Sequence, residues 1–152
     1  MHRDLLTRGR MGLHGRGRVR SVFVRRAISD AYYALFHALA HMCADTLVGS
    51  TRRRSEAWRR IYRTLDHTQV REELRRPEVK AIHPMLVDFA ADFARLQDAR
   101  HVADYDPAPA FRRRDDALAL LNVAETAISD IEALPADARL ELSAALVAKR
   151  RR

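Results

Sequence analysis

The chain has 152 residues, 47% of them hydrophobic, and its 28 basic against 20 acidic residues give a formal net charge of +8. That length and apolar content suit one domain with a real core and exclude disorder throughout. No run of 18 apolar residues is present, the N-terminal stretch lacks the apolar segment of a signal peptide, and the lone Cys43 cannot form an internal disulfide. A cytoplasmic protein with no membrane partner is therefore expected.

Of the 28 basic residues 26 are arginine, a bias that favours a polyanionic partner such as RNA. A GC-rich genome writes the same bias with no partner at all, so charge alone leaves both readings open.

Residues 1–20 hold four of the five glycines and six arginines, and read as a basic arm. A short helix over Asp4 to Met11 is expected, then a flexible link from Gly12 to Arg20, because glycine at this density breaks helices. Residues 21–48 read as a long helix, with Val24, Ile28, Ala31, Leu35, Leu39 and Met42 at helical spacing and Gly49 as its stop. A second line on that helix, Arg26, Asp30, Tyr33, His37 and His41, falls on the opposite side. It reads either as a polar line facing a site or partner, or as a solvated face with an Arg26–Asp30 pair. His37 and His41 lack a third ligand, so no metal and no cofactor is expected.

Over residues 51–76, Thr51 is a candidate cap for a helix carrying Trp58, Ile61, Tyr62 and Leu65, with Arg52, Arg53, Arg54, Arg59, Arg60 and Arg63 as its basic side. A loop and a short helix follow, up to Pro77. Residues 78–104 form the next long stretch, with Pro84 opening its main part and Met85, Leu86, Phe89, Phe93 and Leu96 as its stripe. Pro107 and Pro109 end it. Ala117, Leu121, Ala124, Ile128 and Ile131 then mark a bundle seam on a helix from about Phe111 to Leu134. Arg112 to Arg114 sit in its first turn against the helix dipole, which invites an anion. Pro135 starts a last helix anchored by Leu142 and Leu146, and residues 149–152 form a basic tail. No strand signal appears. The expected fold is all-α, an antiparallel up-and-down four-helix bundle over residues 21–148 with short extra helices.

No phosphate-loop, dinucleotide, nucleophile-elbow or zinc signature is present, and Cys43 amid apolar residues reads as core. The chemistry left over lies at the end of the third stretch. Continuing the Phe89–Phe93–Leu96 face by one turn reaches Arg100, with Asp104 at i+4. A guanidinium thus arrives where a hydrophobe is due, and a buried cation needs acceptors. His101 and Tyr105 stand beside it, and Arg95 lies one and a half turns earlier.

The segment Arg25-Arg26-Ala27-Ile28-Ser29-Asp30-Ala31-Tyr32-Tyr33-Ala34-Leu35-Phe36-His37-Ala38, followed by Ala99-Arg100-His101-Val102-Ala103-Asp104-Tyr105-Asp106, resembles the HEPN superfamily. The likeness covers about residues 20–134. It implies an antiparallel four-helix bundle, usually dimeric. Active members of that superfamily are metal-independent ribonucleases of toxin–antitoxin, antiviral or RNA-processing systems, and many sit beside a nucleotidyltransferase. Their site is an Arg, four to six residues, then a His, drawn from both protomers. The Arg holds the phosphate and the His moves protons while the 2′-OH attacks.

The motif here departs from that pattern. Tyr105 stands where the His would often be, and the nearest His is His101, directly after Arg100. Pairing Arg95 with His101 restores the spacing, but positions six apart lie about 120° apart on a regular helix. That frame needs a distortion or a composite dimer site. Two readings follow. In one, Arg100 clamps phosphate while His101, Asp104 and Tyr105 (or Arg95 with His101) are the catalytic candidates. Arg26, Arg52, Arg53, Arg54, Arg59, Arg112 and Arg113 would then bind RNA. In the other, Arg100 bonds Asp104 and the Asp30/Tyr33 line as a packing network. The protein is then a non-catalytic homodimer that binds RNA or a partner such as a nucleotidyltransferase or antitoxin.

Overall fold

The computed structural model describes residues 1–108 and 113–148, and every regular element among them is helical. In chain order these are α1 (His2–Gly12), α2 (Ser21–Val48), a 3-10 turn (Ser50–Arg52), α3 (Glu56–Thr64), α4 (His67–Leu74), α5 (Pro77–Lys80), α6 (Met85–Tyr105), α7 (Arg114–Ala133) and α8 (Ala136–Val147). The expected basic tail at 149–152, together with Pro109, Phe111 and Arg112, lies outside the described residues. None of the described helices is long and apolar enough to cross a membrane.

The chain divides into two compact units, one of Met1–His37 with Ala91–Ile128, the other of Ala38–Ala90 with the residues from Ser129 onward. In the first unit the core is built from Val24, Ile28, Tyr32 and Leu35 of α2, Phe93 and Leu96 of α6, and Leu121 and Ala124 of α7, all fully buried. The Tyr32 and Phe93 rings meet edge-on at 5.7 Å, a favoured aromatic geometry. Residues 2–13 are not a separate arm: Leu6 and Leu13 are buried in the same unit. Gly9 explains how α1 sits so close, since a Cβ there would fall 3.0 Å from the Leu121 side chain. Only the link beyond Leu13 is irregular, and Arg114 donates to the Gly17 carbonyl at 3.1 Å across it.

In the second unit Leu39 and Cys43 of α2, Val70 and Leu74 of α4, Phe89 of α6 and Leu142 and Leu146 of α8 are buried. The last two are the anchors expected for the final helix. The helix over residues 56–64 is capped by Ser55, whose hydroxyl accepts from the Trp58 amide at 3.2 Å. Thr51 lies instead in the 3-10 turn, which Gly49 enters at φ +113°. Both residues could cap. Thr51 is taken up by the 3-10 turn, so the cap falls to Ser55, three residues before the buried Trp58. Likewise the 78–104 stretch is broken: α5 ends at Lys80, and α6 opens at Met85, whose amide donates to His83 Nδ1 at 3.2 Å.

The polar line on α2 is not an open face. Asp30 is buried, Tyr33, His37 and His41 are half-buried, and only Arg26 is exposed. A helix enclosed on most of its circumference cannot keep a solvated stripe. The expected Arg26–Asp30 pair is also replaced: Arg8 of α1 grips Asp30 with Nε at 3.0 Å and with a second, short contact from Nη2. At the start of α7, Arg113 precedes the helix and its amide donates to the Asp116 carboxylate at 3.2 Å. Asp115 and Asp116 occupy the first turn beside Arg114, so that end carries its own anions.

Candidate functional site

Two rows of side chains leave the last turns of α6. Arg100 and Asp104 form one, His101 and Tyr105 the other, each pair at i, i+4. Adjacent positions on a helix diverge by about 100°, so the rows face different surroundings.

The first row turns toward α2. Arg100 Nη2 donates to the Tyr33 hydroxyl at 2.9 Å, and Nε lies 2.9 Å from Asp104 Oδ2. The Nε–H is not aligned for a hydrogen bond there, so that contact is an ion pair. The guanidinium carbon stands 5.2 Å from the Tyr33 ring centre and 5.8 Å from that of Tyr32, within cation–π range. Asp104 also accepts a hydrogen bond from the Ser29 hydroxyl. The Arg100 side chain is only 20% exposed. It stands beside the apolar stripe, which continues past Leu96 through the buried Ala99 and Ala103. Small residues at those two positions leave room for the arginine stem.

The second row faces outward. His101 and Tyr105 are exposed, and their rings meet at 4.9 Å. Arg95 is exposed on a third face, where it lines a shallow depression of about 360 Å³ with Asp98, Val102 and Asp116. The five candidates therefore do not converge. Arg100 is joined to Asp104 and His101 to Tyr105, while Arg95 stands apart.

One arginine that the sequence reading left out belongs to this site. Arg25, in the first turns of α2, donates to the carbonyls of Ala103 at 3.2 Å, Asp106 at 2.8 Å and Pro107 at 3.0 Å. The last carbonyls of a helix have no partner within it, and a guanidinium satisfies them and complements the dipole. Arg25, Ser29 and Tyr33 recur at i, i+4 along α2, and all three grip the last turns of α6. That spacing was a visible signal, although only the tertiary partner gives it meaning.

The exposed arginines of the second unit divide as well. Arg53 is committed to Asp45, with Nε at 3.0 Å and Nη2 at 2.6 Å. Trp58 Nε1 donates to the same carboxylate at 2.9 Å, and His41 Nδ1 lies 3.4 Å from it. Burial pushes the Asp45 carboxyl up, but the hydrogen bonds from Arg53 and Trp58 outweigh it and hold it below the usual carboxylate range. Burial also holds His41 below its ordinary value, against the opposing pull of Asp45. Arg52, Arg54, Arg59, Arg60 and Arg63 remain exposed. Glu56 approaches Arg59 and Arg60, each at 3.8 Å. Trp58 and Tyr62 stack at 5.0 Å but are buried and half-buried, so this basic face offers guanidinium groups without an aromatic platform.

Cys43 is a core residue whose thiol is pushed up to about 12 by burial, the Ser143 hydroxyl pulling the other way. His37 stacks on Tyr33 at 6.3 Å. Among the described residues no group of three or more His, Cys, Asp or Glu side chains gathers as a metal site. Comparison with family models, with curated proteins and with solved structures gives no match to this chain.

Proposed function

We infer that the chain is a HEPN-type helical module, an antiparallel four-helix bundle acting as a cytoplasmic homodimer, that binds RNA without cleaving it. The observation that carries the non-catalytic part is the state of Arg100. Its guanidinium donates from Nη2 to the Tyr33 hydroxyl, pairs ionically with the Asp104 carboxylate, and lies against two tyrosine rings. A phosphate clamp must keep donors pointing at open space for the charge that develops in the reaction. Arg100 instead ties α6 to α2.

Support for RNA comes from charge. Arg59 and Arg63 on α3 stand at i, i+4 and Arg60 and Arg63 at i, i+3, all exposed. Like charges at these spacings repel by roughly 0.2–0.5 kcal/mol a pair; Glu56, at 3.8 Å from Arg59 and Arg60, offsets part of that cost, and a phosphate backbone would remove the rest. Arg52 and Arg54 extend the surface. The toxin–antitoxin or phage-defence setting, and a nucleotidyltransferase or antitoxin as partner, rest on the resemblance alone.

A second reading, a metal-independent endoribonuclease, is favoured by one feature: His101 and Tyr105 are exposed together within about one and a half turns of Arg100. One experiment separates the two. A labelled structured RNA is incubated with the protein in excess chelator, beside Arg100→Ala, His101→Ala and the triple Arg59→Ala, Arg60→Ala, Arg63→Ala variant. The non-catalytic reading expects a salt-dependent shift, no cleavage by any protein, and a shallower salt slope for the triple variant. Cleavage lost in both Arg100→Ala and His101→Ala would establish the ribonuclease, and absence of any shift would overturn RNA binding.

A further inference from the structure

A groove in the second unit carries charge opposite to that of the chain as a whole. It has a volume of about 380 Å³ and runs between α5 and the carboxyl-terminal half of α8. Its floor is apolar: Val79 is buried, and Ile82 and the Ala144 methyl complete it. Around it stand three carboxylates, Glu73, Glu78 and Glu141, against one guanidinium, that of Arg76. Arg76 is shared between Glu73 and Glu78, at 3.4 Å from each. Glu78 and Glu141 are both exposed, and Glu78 is held below the ordinary carboxylate range by its own backbone amide and by Arg76, so it stays charged. The groove ends at Ala148, where α8 stops and its last carbonyls add partial negative charge. Gln69 of α4 donates to the Ala148 carbonyl at 3.2 Å and holds that end in place.

A chain of net charge +8 repels basic ligands at long range, but at physiological salt that repulsion fades beyond about 8 Å. Local complementarity then decides. An apolar floor takes an aliphatic side chain, and flanking carboxylates take guanidinium or ammonium groups on either side of it. We propose that this groove is a docking site for a basic peptide segment of a partner protein, in which arginines flank an aliphatic anchor.

The probe is a fluorescein-labelled peptide of alternating arginine and leucine, read by anisotropy against the full chain, with a glutamate-for-arginine version as control. Binding by the arginine peptide alone is expected. The double substitution Glu78→Gln with Glu141→Gln removes two exposed charges without touching the core, and should weaken binding on the order of tenfold. Ala144→Trp, at an exposed position, should fill the floor and weaken binding comparably. Glu56→Gln with Glu125→Gln, both exposed and outside the groove, should leave it unchanged. Equal binding by the wild type and the Glu78/Glu141 variant overturns the proposal. So does the absence of peptide binding, or a concentration-dependent self-association that the same variant abolishes, which would assign the groove to a second copy of the chain.

Discussion

Two arginine–carboxylate clusters carry opposite lessons. In the first unit Arg100 is 20% exposed, sits on a long helix, and lies over tyrosine rings, hydrogen-bonded to Tyr33 and ion-paired with Asp104. In the second unit Arg53 is 52% exposed, sits between a 3-10 turn and the cap of α3, and meets Asp45 bidentately. In the first cluster the cation is the enclosed partner; in the second it is the carboxylate, which also anchors the Trp58 indole. Burial, not the number of contacts, sets what each side chain contributes, because enclosed charge is screened less and costs more to orphan.

The largest effect should come from Arg100→Ala. It removes a charge-assisted hydrogen bond and the cation–π contacts, and should lower stability by about 2–3 kcal/mol in chemical denaturation. Arg100→Lys keeps the charge but not the planar group over the ring, and should recover only part of that loss. Arg53→Lys should leave the midpoint within experimental scatter, and an equal loss for the two lysine variants would break the comparison. Next comes Asp45→Ala, which leaves the Trp58 indole N–H without its acceptor and should cost about 1–2 kcal/mol, with a change in tryptophan fluorescence. Removing the cap of the same helix by Ser55→Ala should cost about 1 kcal/mol, read as a lowered thermal midpoint.

The smallest effect concerns pH. His41 is held below its ordinary value in the fold, so the unfolded chain takes up that proton first as pH falls below about 6.5. The stability tied to the neutral ring is complete above that value and is lost as pH drops toward the folded one. His41→Asn should flatten the slope of stability between about pH 7 and pH 5. Asp45 acts lower: its folded value is depressed, so its contribution is present above about pH 4 and lost as pH falls further.

Helix stripes were legible because they are local. The span of α2, its end at Gly49 and the anchors Leu142 and Leu146 all follow from spacing. Arg100 is legible as a cation at the end of the Phe89–Phe93–Leu96 face, but the face itself runs on through the small residues Ala99 and Ala103, and Arg100 stands beside it. Its partners were less so. Asp104 is four residues away on the same helix, while Tyr33 lies on α2 and was found only as one of several polar neighbours. Spacing pairs Asp30 with Arg26, four residues away, yet its partner Arg8 is 22 residues distant on α1. Arg53 resembled its neighbours Arg52 and Arg54 in sequence, and only the fold of the turn singles it out for Asp45. Pairings set by tertiary approach leave no periodic trace.

The central claim is that Arg100 is a tie between α2 and α6. A double-mutant cycle of Arg100→Ala with Tyr33→Phe, followed by denaturant unfolding, tests it most directly. The account predicts a coupling of about 1 kcal/mol, with Tyr33→Phe costing little once Arg100 is gone. Additive effects, with Arg100→Ala unfolding at the wild-type midpoint, would contradict it and return Arg100 to the list of groups held ready for a ligand.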